Sequence, residues 1–357
     1  MMESAFPLAR RFGRRSVLGS GLAALGVLAF PGVASADQRR RIVVAADGSG
    51  DVTTIQAAVD AVPAGNSEPF AILVKPGLYH GRVVIPADRS HLVLVGLGRN
   101  PADVIITDDR ANGTPNPAGG TWGTSGSASV TIDASDLVVR NLTLSNSFDE
   151  AAHPEITNRQ AVAVLARGDR LSFSHVRFLA NQDTLYLNSP NVTTFSRASL
   201  RHCYVEGDVD FIFGRGTAVL EHCHIHSLDR GSTTNNGYIT AASTSLANPY
   251  GFLFTKCRFT AVAAPGTVYL GRPWHPSNDP DAVAQVVIRD SHLGEHLQAA
   301  PWTDFGVWPW RDARYFEYRN RGAGATVTPD RPQLSASDAA LYTPETYLAG
   351  WDPSCWS

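Results

Sequence analysis

Two aspartates stand 27 residues apart in short β-prone segments, Asp183 in NQDTLY and Asp210 in GDVDFIFG. Carboxyl groups brought side by side repel each other, which raises one pKa and leaves the other group ionised. Such a pair supplies a proton-bearing acid and a carboxylate nucleophile at once. An Asp between β-prone residues also closes turns or accepts backbone hydrogen bonds. That structural role suits Asp208, directly after Gly207, and suits Asp210 poorly, because Val209 and Phe211 flank it. Arg272 in YLGRPW is the natural electrostatic partner, since a guanidinium can grip a carboxylate through a fixed fork and hold its pKa low. Only Lys75 and Lys256 among the 30 basic residues are not arginine, so a lone Arg would ordinarily read as surface; Gly271 before this one and Pro273 and Trp274 after it change that. Trp274 offers a flat apolar face on which a sugar ring can stack. Gln160 and Gln182 carry neutral N–H donors that can stabilise an oxyanion, although each alone reads as an ordinary polar surface residue.

Something must bring these distant groups together, and the rest of the chain is a series of short strands. One helical segment, Thr54 to Val62, follows the turn DGSGD, with Ile55, Ala58 and Val59 at helical spacing. Almost everything later is three to six β-prone residues punctuated by Asn, Asp, Gly or Ser. A degenerate repeat runs through them: LTLSN at 142, VRFLAN at 176, CYVEG at 203, CHIHS at 223, CRFTA at 257 and SHLGE at 291. Successive starts differ by 34, 27, 20, 34 and 34 residues. Spacing that varies in this way argues against propeller blades or helical repeats of fixed length; it fits the coils of a parallel β-helix that keep their strands and vary their loops. Asp183 and Asp210 then fall on adjacent coils. The helix is expected to cap the N-terminal end of the stack and protect its edge. Cys203 and Cys223 occupy the same phase of neighbouring coils, which are ~4.8 Å apart, and are expected to form a disulfide. Cys257 and Cys355 are expected to remain thiols. The C-terminal tryptophans, Trp302, Trp308, Trp310 and Trp351, are expected to pack against the helix or the groove.

A composition of 43% apolar and 18% charged residues in 357 can fill a core and excludes a disordered chain or a small disulfide scaffold. The first 36 residues read as a removable export signal: a basic stretch with paired Arg14 and Arg15, an apolar run from Val17 to Phe30, and Ala34 and Ala36 at the cleavage site. The paired arginines resemble a twin-arginine signal. About fourteen apolar residues fall short of the roughly 20 that span a bilayer, so no stable membrane association is expected after processing. Without Arg10, Arg11, Arg14, Arg15 and Glu3, 26 basic residues face 32 acidic ones over residues 37 to 357. No basic stripe of the kind that binds nucleic acid is present. Residues 37–357 are expected to form one domain and to act as a monomer.

The chain resembles the pectinesterases, or pectin methylesterases. The motifs that carry the resemblance occur in order: VAADGSGDVTTIQAAVDAVP (44 to 63), KPGLYHGRVVIP (75 to 86), RQAVAV (159 to 164), NQDTLY, GDVDFIFG, YGFLF (250 to 254) and YLGRPW. They cover roughly residues 41 to 350, and the cluster is far more specific than any one piece. The resemblance implies a right-handed parallel β-helix, with Asp210 as nucleophile and Asp183 as the acid that then acts as base. It also implies Gln160 and Gln182 as oxyanion donors, Arg272 as the residue holding the nucleophile, and Tyr186, Val209, Phe213 and Trp274 as lining of the substrate groove. The substrate would be methyl-esterified homogalacturonan, the reaction hydrolysis of its C6 methyl esters with release of methanol, and no metal or organic cofactor would take part.

Three places depart from the family pattern. Gly81 stands where a Glu is common, Ala242-Ser243-Thr244 replaces a Gln-Gly-Arg run, and the loop containing NSPNVTTFS is about six residues longer than the common form. None removes a proposed catalytic group. Rival readings are a β-helix esterase or thioesterase acting on another acyl group, a calcium-dependent lyase, which would need clustered acidic ligands, and a non-catalytic carbohydrate-binding protein. A serine hydrolase is disfavoured because no Gly-x-Ser-x-Gly elbow occurs.

Overall fold

Each copy of the repeat begins one residue after a left-handed backbone corner. Asn141, His175, His202, His222, Lys256 and Asp290 have φ between 49° and 54° in the computed structural model, which describes residues 40–354. The expected export signal over residues 1–36 and Cys355 lie outside the described residues. The strands that follow the corners are parallel and in register: Leu142 pairs with Val176, Arg177 with Tyr204, Tyr204 with His224, His224 with Arg258 and Arg258 with His292. These offsets reproduce the uneven repeat spacing, so the variation in length lies in the loops and the strand ladder is unbroken.

Every neighbouring strand pair is parallel, and the fold is a parallel β-helix with three faces. One face runs from Arg41–Val44 to Arg314–Tyr318; a second leads from Gly77–His80 to His292–Leu293. The third consists of Val83–Ile85, Val130–Ile132, Val164–Ala166, Leu185–Leu187, Val209–Gly214, Gly237–Ala242 and Val268–Gly271. Inward side chains stack in columns along the axis. Leu144, Phe178, Val205, Ile225, Phe259 and Leu293 form one such column of fully buried residues on six successive coils. Each such side chain contributes about 1.5–3 kcal/mol by leaving water, and only when its neighbours are in place, which couples the coils to one another.

The N-terminal helix is Ile55–Asp60, three residues shorter than the expected segment Thr54 to Val62. Thr54 caps it by accepting a hydrogen bond from the Ala57 N–H at 3.2 Å, and Ile55, Ala58 and Val59 close the end of the core. No helix among the described residues is long and apolar enough to cross a membrane.

The expected disulfide between Cys203 and Cys223 is not formed. Cys203, Cys223 and Cys257 are buried free thiols stacked in one column. Each donates to a backbone carbonyl of the preceding coil, Cys203 to Phe173 at 3.5 Å, Cys223 to Leu200 at 3.4 Å and Cys257 to Leu220 at 3.2 Å. The Cα separation was the wrong test. Residues in register on parallel strands point the same way, so their Cβ atoms stay a strand spacing of ~4.8 Å apart, outside the ~3.5–4.5 Å that a disulfide accepts.

The C-terminal tryptophans divide. Trp302 stacks on Tyr315 at 4.2 Å inside the core beside Gly271, and Trp308 stacks on His275 at 3.8 Å, close to Trp274 in the chain. Trp351 packs against neither the N-terminal helix nor the groove. With Tyr347 and Leu348 of the helix Pro344–Leu348 it covers Val219, Leu253 and Val287 on the outside of the first face.

Candidate active site

The third face carries apolar side chains on its outer side, where solvent-facing polar residues would be the norm. Leu165, Tyr186, Phe213 and Ala241 follow one another on successive coils and, with Ala128, Val162 and Trp274, form an apolar cluster separate from the core. Tyr186 and Phe213 stack with ring centroids 4.1 Å apart, and Trp274 meets them edge-on at 6.0 and 5.6 Å. The result is a ridge of aromatic rings along the β-helix axis.

Asp183 and Asp210 lie at the head of this ridge. Leu185 pairs with Ile212 and the Asp183 N–H donates to the Val209 carbonyl at 3.0 Å, which sets the two aspartates at equivalent positions on adjacent coils. Both are left-handed, with φ of 69° and 52°. A left-handed non-glycine residue costs of order 1–3 kcal/mol, and Asp tolerates the conformation better than most. The shared kink turns both carboxyl groups off the pleat in the same manner, and each residue is only 7% exposed.

Arg272 is committed to one of them. Its Nε donates to Asp210 Oδ1 at 2.9 Å and its second nitrogen to Oδ2 at 2.7 Å, the two-point geometry expected from its setting. The guanidinium is itself fixed, lying over the rings of Tyr238 at 3.8 Å and Phe305 at 4.4 Å. Sequence reasoning missed both rings. Tyr238 was open to register counting, since it pairs with Val209; Phe305 arrives from an irregular segment that leaves no periodic signal.

Burial, more than mutual repulsion, shifts both carboxyl groups. It raises the Asp183 pKa well above the usual carboxylate range, with the neighbouring Asp210 charge adding to the effect. Burial raises Asp210 as well, and the hydrogen bonds and charge of Arg272 pull it partly back. The expectation that Arg272 keeps Asp210 low is therefore corrected: the arginine offsets a desolvation cost that still leaves the pKa raised. The ordering of the pair survives, with Asp183 holding its proton more tightly. Asp208 takes the structural role foreseen for it, accepting from the Val209 N–H at 2.5 Å and pairing with Arg230 at 2.8 Å.

Gln182 lies next to Asp183, and the Ala161 N–H donates to the Gln182 carbonyl at 3.1 Å, so Gln160 and Gln182 enter the site from adjacent coils. The Gln160 Oε1 is buried with no hydrogen-bond partner. Val209 is half-buried between Asp208 and Asp210. All nine residues singled out in the sequence for catalysis or binding thus gather on one face. One group of potential metal ligands occurs among the described residues, His80, Asp108 and Asp109, and Arg110 already pairs with Asp108.

A family model described as pectinesterase matches residues 41–350. The chain belongs to the pectinesterase family. Pectinesterase A of Dickeya dadantii is 36% identical over 334 residues, covering 84% of this chain and 88% of that protein. A pectinesterase of Ralstonia nicotianae is 38% identical over 319 residues, 80% of each chain. Among solved structures, a pectin methylesterase from Erwinia chrysanthemi matches with a TM-score of 0.78 and 34% identity over 87% of this chain and 97% of that one. A pectin methylesterase in complex with a hexasaccharide gives a TM-score of 0.79 at 34% identity, with the same coverage.

Proposed function

We propose that the protein hydrolyses galacturonosyl methyl esters of pectin, releasing methanol, with Asp210 as nucleophile and Asp183 as acid and then base. The observation that carries this reading is the asymmetry of the pair: Arg272 forks onto Asp210 alone, while Asp183 is buried beside it with a strongly raised pKa. An ionised Asp210 oxygen adds to the ester carbonyl carbon. The oxyanion that forms accepts hydrogen bonds from the Gln160 and Gln182 amides. Collapse breaks the bond to methoxide, which takes the Asp183 proton and leaves as methanol, and an acyl-Asp210 anhydride remains. Asp183, now a carboxylate, removes a proton from water as that water attacks the acyl carbon. Asp210 departs as carboxylate, Asp183 is neutral again, and the product is a galacturonic acid unit. Tyr186, Val209, Phe213 and Trp274 present the apolar ridge on which sugar rings rest.

In the same reading residues 1–36 direct export by the twin-arginine route, and residues 37–357 act outside the cell as a single monomeric catalytic domain. The test is methanol release from highly esterified pectin, measured beside hydrolysis of p-nitrophenyl acetate and an acyl-CoA. Rapid methanol release with negligible thioester cleavage is the expected result; the reverse preference would overturn the substrate assignment.

A further inference from the structure

A second row lies just past the strand ends of the third face, two residues on from Leu165, Tyr186, Phe213 and Ala241, and Trp274 of the ridge continues it. Arg167, Asn188, Arg215, Ser243 and Trp274 hold equivalent positions on five successive coils, as the pairings of Leu187 with Ala166, Phe213 with Tyr186 and Gly214 with Ala242 require. Two of the five are cations, and they are treated differently. Arg167 is forked onto Asp133 at 2.6 and 2.9 Å. Arg215 has no acid to meet: its neighbours in the row are the neutral Asn188 and Ser243, and among the described residues no carboxylate or hydrogen-bond acceptor holds its guanidinium. The other arginines near the site are committed, Arg272 to Asp210 and Arg230 to Asp208.

A half-buried guanidinium without a counter-charge is costly to keep beside an apolar surface unless an anion meets it during the working cycle. Arg215 follows Phe213 by two residues, just past the end of the strand Val209–Gly214, at the register position from which Trp274, two coils on, meets Tyr186 and Phe213, and so within reach of a sugar lying on the ridge. Its charge is felt there. Burial pushes the Tyr186 phenol up, and the Arg215 guanidinium pulls it partly back.

We propose that Arg215 is a specificity-determining residue that binds the free carboxylate of a galacturonate unit already de-esterified, so that esters beside a free acid are preferred over esters in a fully methylated run. The inference rests on the pectin reading above and adds to it which neighbour the site favours. A methyl ester is neutral and cannot form the charge-assisted, two-point contact that a carboxylate makes with a guanidinium. The binding is made to a unit that does not react, so it lowers KM for acid-bearing chains and leaves kcat nearly unchanged.

The test compares kcat/KM for fully methyl-esterified hexagalacturonate with that for the same oligomer carrying one free carboxylate among its esters. Wild type should favour the acid-bearing oligomer by about tenfold, the typical effect of one charge-assisted hydrogen bond, and added salt should erode the preference. Arg215→Gln should bring the ratio close to one through KM, with turnover of the fully esterified oligomer nearly unchanged, and Arg215→Lys should restore part of it. In calorimetry, Arg215→Gln should also weaken binding of fully de-esterified hexagalacturonate. An unchanged ratio in folded Arg215→Gln, an equal loss on both oligomers, or a wild type without preference would overturn the proposal. Absence of methanol from either oligomer would instead overturn the pectin reading, and this inference with it.

Discussion

Two stacks of left-handed residues run along this β-helix, and they use the same backbone device for different ends. At the corner between the first two faces, His175, His202 and His222 stack ring on ring at 5.3 Å, with Lys256 and Asp290 continuing the column. At the head of the third face, Asp183 and Asp210 repeat the same φ on adjacent coils. The corner residues are largely exposed and turn the chain; any residue that tolerates the conformation can serve, as Asn, His, Lys and Asp side by side show. The aspartates are buried, next to each other, with a guanidinium bound to one. A left-handed kink thus supplies direction only. Reactivity comes from desolvation and from an arginine that distinguishes two otherwise equivalent carboxyl groups.

The largest effect expected from breaking this distinction is at Asp210. Asp210→Asn keeps the shape and removes the nucleophile, so methanol release should fall by roughly a thousandfold or more with unchanged far-UV circular dichroism. Near-wild-type release by a folded Asp210→Asn would remove the proposed mechanism. Arg272→Lys comes next. A single flexible ammonium cannot reproduce the fork, and we expect a loss of about 10²-fold. Weakening the partner that opposes burial also raises the Asp210 pKa further, so the acidic limb of the pH–rate profile should move to higher pH. A limb that stays in place would mean that Arg272 acts without tuning Asp210.

Asp183 offers two readouts that separate its chemistry from its cost. Asp183→Asn should abolish methanol release yet retain a single acylation burst with an activated ester, whose leaving group needs no proton. Its stability should change in the opposite sense. The folded-state pKa of Asp183 lies well above the unfolded value near 3.8, so the native state binds the proton more tightly than the unfolded chain does. Native stability is therefore lost as pH rises from the unfolded pKa toward the folded one. An amide does not titrate, so Asp183→Asn should have a higher Tm than wild type at pH 7, with the difference shrinking toward pH 4. Equal Tm differences at both pH values would show that the carboxyl group is not held neutral by burial.

Much of this was legible in the sequence because a parallel β-helix turns repeat spacing into spatial adjacency. The offset of 27 residues that relates Asp183 to Asp210 is the offset of the ladder between Leu185 and Ile212. The same arithmetic failed for Cys203 and Cys223, whose offset of 20 was also correct. Adjacency is sufficient for two carboxyl groups to perturb each other through space and insufficient for a covalent bond, which also needs Cβ atoms that converge. Phe305, which fixes one side of Arg272, was out of reach because the loop that delivers it has no period. Burial as the leading cause of the Asp183 shift was equally hidden, since sequence shows which groups are near and not how much water reaches them.

The smallest effect expected is at the corner stack, and it bears most directly on whether the two stacks differ in kind. His202 has φ 54° and is exposed, stacked between His175 and His222. Replacing it by Ala keeps the left-handed penalty of about 1–2 kcal/mol and removes the ring contacts, whereas Gly carries no such penalty in the native state. Gly also frees the unfolded chain, which takes back part of that advantage. His202→Ala should therefore melt a few degrees below His202→Gly, by roughly 2–4 °C for each kcal/mol in a domain of this size. Methanol release should stay at the wild-type rate in both, because the corner touches neither carboxyl group. Loss of activity in a folded His202→Gly would mean that the corner column sets the register of the third face, and the separation between a turning stack and a reacting one would no longer hold.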